Sequence, residues 1–179
     1  MARWFSLALL LLFGGALAQA QPSASGWETY RNARYALTLR YPDRLFRLER
    51  STEDGDGDLY VARSGTAKLL VGALRNTDST TPAAYRRMIE ARSYGGFDVT
   101  YRKGGQGWFV ISGVGQGQIF YEKVMFTCGG ALINSFALVY DVAERNVFDR
   151  VVEGIEPTFR PDYRICDRII LSGTDVGRY

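Results

Sequence analysis

Residues 119–140 read IFYEKVMFTCGGALINSFALVY, two long and mostly apolar runs joined by Gly129-Gly130. Parallel neighbours need a crossover connection of a dozen or more residues, so a two-glycine link implies antiparallel strands. The stretch therefore predicts two long paired strands, at 119–128 and 131–140.

Short, turn-forming links also separate most of the other segments. Tyr85, Met88 and Ile89 instead recur at helical spacing behind Thr81-Pro82, a capping residue followed by a first-turn proline. Strands are predicted at 27–32, 36–41, 59–63, 67–75, 98–102 and 108–112, helices at 81–94 and 144–155, and a last strand or extended strap at 163–171. Helices laid on a mainly antiparallel central sheet make an α+β domain flanked by two helices.

Composition excludes several chemistries. The 179 residues contain no histidine, which removes a Ser-His-Asp triad, a Cys-His pair and imidazole metal ligands. Two cysteines cannot build a four-thiolate zinc site or an iron–sulfur cluster. The net charge of +3 gives no support for nucleic-acid binding, and no cofactor is predicted.

The first twenty residues have the form of an export signal. Arg3 is followed by an apolar run over 7–13, and Ala18-Gln19-Ala20 supplies the small residues of a cleavage site. The apolar run is shorter than the roughly 20 residues of a membrane span. We expect cleavage after Ala20 and a periplasmic or secreted mature protein with no membrane span. The predicted organisation is a signal peptide at 1–20, a flexible lead at 21–26, one domain at 27–160 and a C-terminal strap and tail at 161–179.

The two cysteines fit that destination. Cys128 and Cys166 are far apart in sequence and have neither metal-ligand nor C-x-x-C redox spacing. In an oxidising compartment the expected state is one structural disulfide. A free thiolate nucleophile at either position is the alternative.

Short motifs resemble those of a known family. The segment 34–43, RYALTLRYPD, resembles the opening of Mog1/PsbP-like domains, and the order of elements is similar. The segments 108–113, WFVISG, and 120–123, FYEK, resemble a group of uncharacterised exported bacterial proteins. The resemblance implies an α/β/α sandwich with a central antiparallel sheet. Better-known members bind other proteins: the photosystem branch assists a metal cluster and the nuclear-transport branch binds a small GTPase. No functional residue of either branch can be matched here.

Glu122 is the candidate for acid–base chemistry. Period-two alternation places it on one strand face with Phe120 and Phe126, which would bury the carboxyl and raise its pKa. Such a group could serve a carboxylate-dependent hydrolase. A cross-strand ion pair with an arginine is the alternative.

Asp54, Asp56 and Asp58 have the spacing of the first three ligands of a calcium loop. The rest of that pattern fails, because Leu59 stands where glycine is required and Gly65 where glutamate is required. The segment is predicted to be an acidic hairpin loop, with a weak calcium or small-ligand site as the alternative.

A further candidate surface combines an arginine with aromatic side chains. Arg40 belongs to an arginine-rich stretch, and Trp27 and Tyr30 lie near the start of the domain, where exposed rings would suit protein binding. The sequence therefore favours an exported binding or accessory protein whose partner is another envelope protein.

Overall fold

The computed structural model describes residues 26–174, with side chains to 171. The predicted signal peptide, all but the last residue of the predicted lead, and the tail beyond 174 lie outside the described residues. Nine strands and three α-helices are present in the described part. They are β1 (Glu28–Arg31), β2 (Thr38–Tyr41), β3 (Phe46–Ser51), β4 (Gly57–Ala62), β5 (Ala67–Arg75), α1 (Pro82–Arg92), β6 (Asp98–Gly105), β7 (Trp108–Gly115), β8 (Gln118–Thr127), β9 (Leu132–Asp141), α2 (Arg145–Ile155) and α3 (Cys166–Thr174).

Seven strands form one sheet in the order β3-β4-β5-β9-β8-β7-β6, with every neighbouring pair antiparallel. The predicted pair of long strands, β8 and β9, lies near its middle. The sequence patterns do not predict β3, because Phe46 is the only buried side chain of this edge strand. β1 and β2 form a separate two-stranded ribbon.

Two hydrophobic cores lie on opposite faces of the sheet. The larger core is covered by α2 and by the ribbon, where Leu37 and Leu39 are fully buried. The smaller core is covered by α1 through Ile89. The predicted α+β sandwich, a central antiparallel sheet flanked by two helices, is confirmed.

The two flanking helices follow their sequence patterns closely. Thr81 caps α1, its hydroxyl accepting from the Ala84 amide at 3.2 Å, and Pro82 opens the first turn. Met88, predicted on the inner face, is 36% exposed. In α2 the buried stripe is Phe148, Val151, Val152 and Ile155, a spacing of three and four residues that leaves Val147 exposed.

The prediction of a strand or extended strap at 163–171 is wrong. Residues 163–165 make a short 3-10 turn, and α3 follows as a helix. Asp162 accepts a hydrogen bond from the Arg164 amide at 2.9 Å and so opens the turn. Ile169 is buried in the larger core, which requires only one helical face to be apolar. The predicted disulfide is confirmed, since Cys128 and Cys166 are bonded and tie α3 to the turn between β8 and β9.

Each face of the sheet is covered over only part of its width. On the α1 side, the buried core lies over β7, β8 and β9. On the α2 side, the core spans β4, β5, β9 and part of β8. No helix within residues 26–174 covers the α2 side of β6 and β7, and this area forms the groove described next.

Candidate binding groove

A groove of about 510 Å³ lies on the uncovered part of the α2 side of the sheet. Three adjacent strands form its floor. Glu156, which directly follows α2, forms a wall. The floor residues are Tyr101 and Lys103 of β6, Trp108, Val110 and Ser112 of β7, and Tyr121, Lys123 and Met125 of β8.

Strand register determines how these side chains are arranged. Alternate residues of a strand point to one face, and directly paired residues share that face. Val110 is paired with Lys103 on one side and Lys123 on the other, which makes a lysine–valine–lysine row. The rows on either side are Tyr101–Ser112–Tyr121 and Gly105–Trp108–Met125.

The absence of a side chain at Gly105 leaves room for the Trp108 indole ring. A Cβ on Gly105 would lie 2.6 Å from the indole Nε1, closer than nonbonded atoms can approach. The ring therefore lies across the backbone of the edge strand β6. Together with Tyr101, which is 46% exposed, it gives the groove an accessible aromatic surface.

The groove has a positive balance of charge. The Lys123 ammonium contacts the Glu156 carboxylate at 2.9 Å. Burial, and secondly the charge of Glu156, raise the pKa of the Tyr121 hydroxyl above its ordinary value. Lys103 makes no ion pair with any residue that the structure describes. Two ammonium groups therefore face one carboxylate.

Glu122 lies on the opposite face of the sheet, beneath α1. Its carboxylate accepts a hydrogen bond from the Tyr94 hydroxyl at 2.7 Å, and the Tyr94 ring stacks on Phe120 with centroids 3.6 Å apart. Burial raises the pKa of Glu122 to about 7, against the opposing effect of the Tyr94 hydrogen bond. The alternative of an arginine ion pair is wrong, because Glu122 is paired across the strands with Ile111 and Ala137. Its catalytic role stays a prediction.

Without histidine, a serine nucleophile would need a lysine as its base, and the groove contains one serine, Ser112, and two lysines. The Ser112 hydroxyl donates to the Phe120 carbonyl at 2.7 Å, and Lys123 is engaged by Glu156. No hydrogen bond joins Ser112 to a lysine within the described part of the chain. The arrangement therefore offers contact surface and charge, not an activated hydroxyl.

The acidic loop is held by its neighbours in the fold. Arg34 contacts the Asp56 carboxylate at 2.7 Å and donates to the Asp54 carbonyl at the same distance. The Asn32 amide donates to the carbonyls of Gly55 and Asp56. No group of three or more acidic or cysteine side chains placed to hold a metal occurs among residues 26–174. The structure does not bring Asp54, Asp56 and Asp58 together as a metal site.

The candidate surface of Arg40, Trp27 and Tyr30 is not a single exposed patch. Tyr30 is 5% exposed and belongs to the larger core, so the expectation that its ring is exposed is wrong. Trp27 is half-buried against α2, where a Cβ on Gly154 would lie 2.5 Å from its ring. Arg40 is exposed, and its backbone amide donates to the Thr158 hydroxyl at 2.9 Å.

The groove was not predicted from the sequence. The aromatic residues of β7 and β8 alternate like core residues, and nothing local shows which sheet face lacks a helix. One available signal is the pair of lysines at 103 and 123 on neighbouring segments of alternating sequence. Lysine is rarely fully buried, so a strand face carrying it is expected to reach solvent.

No helix in the described part of the chain has the length and apolar character needed to span a membrane. Comparison with known proteins then bears on the fold. No protein-family profile and no curated sequence matches the chain.

Among solved structures, the chain is similar to cyanobacterial PsbP (CyanoP) from Synechocystis sp. PCC 6803. The TM-score is 0.56 at 11% identity, covering 83% of this chain and 100% of that one. It is also similar to the Ran-binding protein Mog1p of Saccharomyces cerevisiae, with a TM-score of 0.52 at 12% identity, covering 75% of this chain and 95% of that one. A mutant Mog1 structure matches with a TM-score of 0.53 at 11% identity, covering 78% of this chain and 98% of that one.

These similarities define the fold class, an α+β domain with a central antiparallel sheet. The particular fold is the Mog1/PsbP-like domain that the sequence motifs predict. Membership of an exported bacterial group stays a prediction.

Proposed function

We propose that the protein is an exported, periplasmic binding or accessory protein, and that the groove over β6, β7 and β8 binds a partner in the cell envelope. The observation that carries this proposal is the accessible aromatic and lysine surface on the uncovered part of the sheet. Aromatic residues dominate the energetics of protein interfaces, because each buries a large area at little cost in side-chain entropy.

Other observations support the same proposal. The fold is shared with a protein described as Ran-binding, which makes binding through this scaffold a reasonable expectation. The disulfide is of the kind that persists in oxidising compartments, as export predicts. The absence of histidine and the engaged hydroxyl of Ser112 favour function by contact over bond-making.

Trp108→Ala should weaken partner binding without unfolding the protein. Trp108 is half-buried at the groove and its ring can be buried by a partner, so we expect the affinity to fall by at least about tenfold, as for an interface hot spot. The measurement is affinity capture from envelope extract with the mature protein, followed by titration of the purified partner.

Tyr163→Ala is the matched control. Tyr163 is 60% exposed and lines a different cleft beside the disulfide, so its loss should leave capture unchanged. Circular dichroism would verify that both variants are folded. A partner retained equally by Trp108→Ala and wild type would contradict the groove as the binding surface.

A further inference from the structure

We propose that the groove recognises an acidic, extended segment of a partner protein, with a carboxylate lying between Lys103 and Lys123 over Val110 and an apolar or aromatic side chain against Trp108. This inference rests on the proposed function and deepens it, because it names the chemistry of the partner.

The spacing of the two lysines suits one carboxylate. Both are paired with Val110, on strands either side of it, so their Cα atoms are about 10 Å apart, or two strand spacings. Lysine side chains are long and flexible, and two of them can converge on an anion held midway between. Val110 itself is buried and offers no polar group, so the two ammonium groups are the donors available at the centre of this row.

Donor capacity remains after the internal contact is made. An ammonium group has three N–H donors, and the Glu156 contact uses one of those on Lys123. With a ligand carboxylate bound, two ammonium groups would face two carboxylates, and the charges in the groove would balance. Lys103 makes no ion pair in the described part of the chain, and the ligand carboxylate would supply one.

The aromatic residues supply most of the affinity and the lysines supply the selectivity. Exposed ion pairs contribute little free energy, whereas electrostatic complementarity excludes wrong partners and increases association rates. Beside the lysine row, Trp108 and Met125 form an apolar area on one side, and Tyr101 and Tyr121 a second on the other. An acidic residue with apolar residues two positions before and after it therefore matches the pattern of rows.

The shape favours a segment of a longer chain. The groove has the volume of a small-ligand site, but its floor is a sheet face reaching the edge strand, where Tyr101 is accessible. A segment of a longer chain can reach the groove over the open edge of the sheet at β6, which an enclosed pocket would prevent. An extended segment that lies along the strands presents alternate side chains on one face, at the spacing of the rows beneath it.

The test is selection from a random heptapeptide library displayed on phage, using immobilised mature protein. The peptides that bind are then labelled, and their affinity is measured by fluorescence anisotropy. We expect enrichment of Asp or Glu two positions away from an aromatic or large aliphatic residue, because alternate residues of an extended segment share one face. Replacing that acid by its amide should weaken binding, and added salt should do the same.

Lysine variants show where the acid binds. Lys103→Gln should weaken binding by about threefold to fivefold, as expected for a partly exposed ion pair. Lys103→Arg, which keeps the positive charge, should retain most of the wild-type affinity. Lys68→Gln is the matched control, since Lys68 is exposed on the opposite face of the sheet, in a row with Val61 and Val139. It should leave the affinity unchanged.

Each other outcome overturns the inference. It fails if no peptide is enriched, if the enriched peptides carry no excess of acids, or if Lys103→Gln and Lys68→Gln have equal effects. Peptides without acids whose binding is still lost in Trp108→Ala would overturn the carboxylate assignment and leave the binding groove standing. An envelope partner captured independently of Trp108 would instead overturn the proposed function.

Discussion

Reduction of the Cys128–Cys166 bond is expected to lower the free energy of unfolding by about 4 kcal/mol, the value that loop-closure entropy gives for a link of this length. The bond joins α3 to the turn after β8 and so restrains the unfolded chain. In the folded state α3 would keep its other contacts, because Ile169 is buried and its carbonyl accepts from Arg75 at 3.1 Å. Denaturant unfolding with and without reductant measures the difference.

The double variant Cys128→Ala and Cys166→Ala supplies the control. Its stability should match that of the reduced wild type, and reductant should not change it further. An oxidised wild type with the same denaturation midpoint as the reduced protein would contradict a stabilising role for the bond. Loss of partner capture on reduction alone would place part of the binding surface on α3.

The second large effect concerns the carboxyl of Glu122. Its pKa is about 7 in the folded protein and 4.5 when unperturbed, so the folded state binds the proton more tightly than the unfolded state. The stabilising contribution of the neutral carboxyl is complete below about pH 4.5 and is lost as the pH rises through about 7. Above that range the ionised group costs about 3 kcal/mol.

Glu122→Gln should therefore gain stability relative to wild type as the pH rises. A glutamine oxygen can still accept the Tyr94 hydrogen bond, and the amide does not ionise. We expect the difference in unfolding free energy between variant and wild type to shift by about 3 kcal/mol in favour of the variant between pH 4 and pH 8. Denaturant unfolding at a series of pH values measures it.

Glu153→Gln, an exposed glutamate of α2, is the matched control and should show no such pH-dependent shift. Parallel curves for Glu122→Gln and wild type would contradict the raised pKa. The same variant also tests the hydrolase alternative, because a binding protein should keep its partner when this carboxyl is replaced. The groove lies on the opposite face of the sheet from Glu122, so capture is expected to be unchanged.

Much of the fold follows from local sequence. β5 begins and ends where the alternation of 67–75 predicts, and Thr81-Pro82 marks the start of α1. These elements were predictable because each has a periodic apolar face and a turn or capping residue at its end. The disulfide was predictable for a different reason, since two cysteines and a predicted export signal leave one structural pairing.

The errors occurred where tertiary contacts override local pattern. β3 is an edge strand that buries only Phe46, so its sequence looks like a loop. The apolar residues of 163–171 fit either a strap or a helix, and contacts with the core through Ile169 and the bond at Cys166 select the helix. Tyr30 lies near the start of the domain, where an exposed aromatic ring was expected, but neighbours distant in sequence cover it.

By itself the sequence determined most of the strands, the two flanking helices, the antiparallel pairing of strands joined by short turns, and the chemistries that the absence of histidine removes. Only the tertiary structure decided which face of each strand is covered by a helix. That decision made Glu122 a buried carboxyl and left Lys103, Trp108 and Lys123 in an open groove. The physical reason is that alternation assigns side chains to two faces of a strand, whereas the packing of distant helices settles which of those faces meets water.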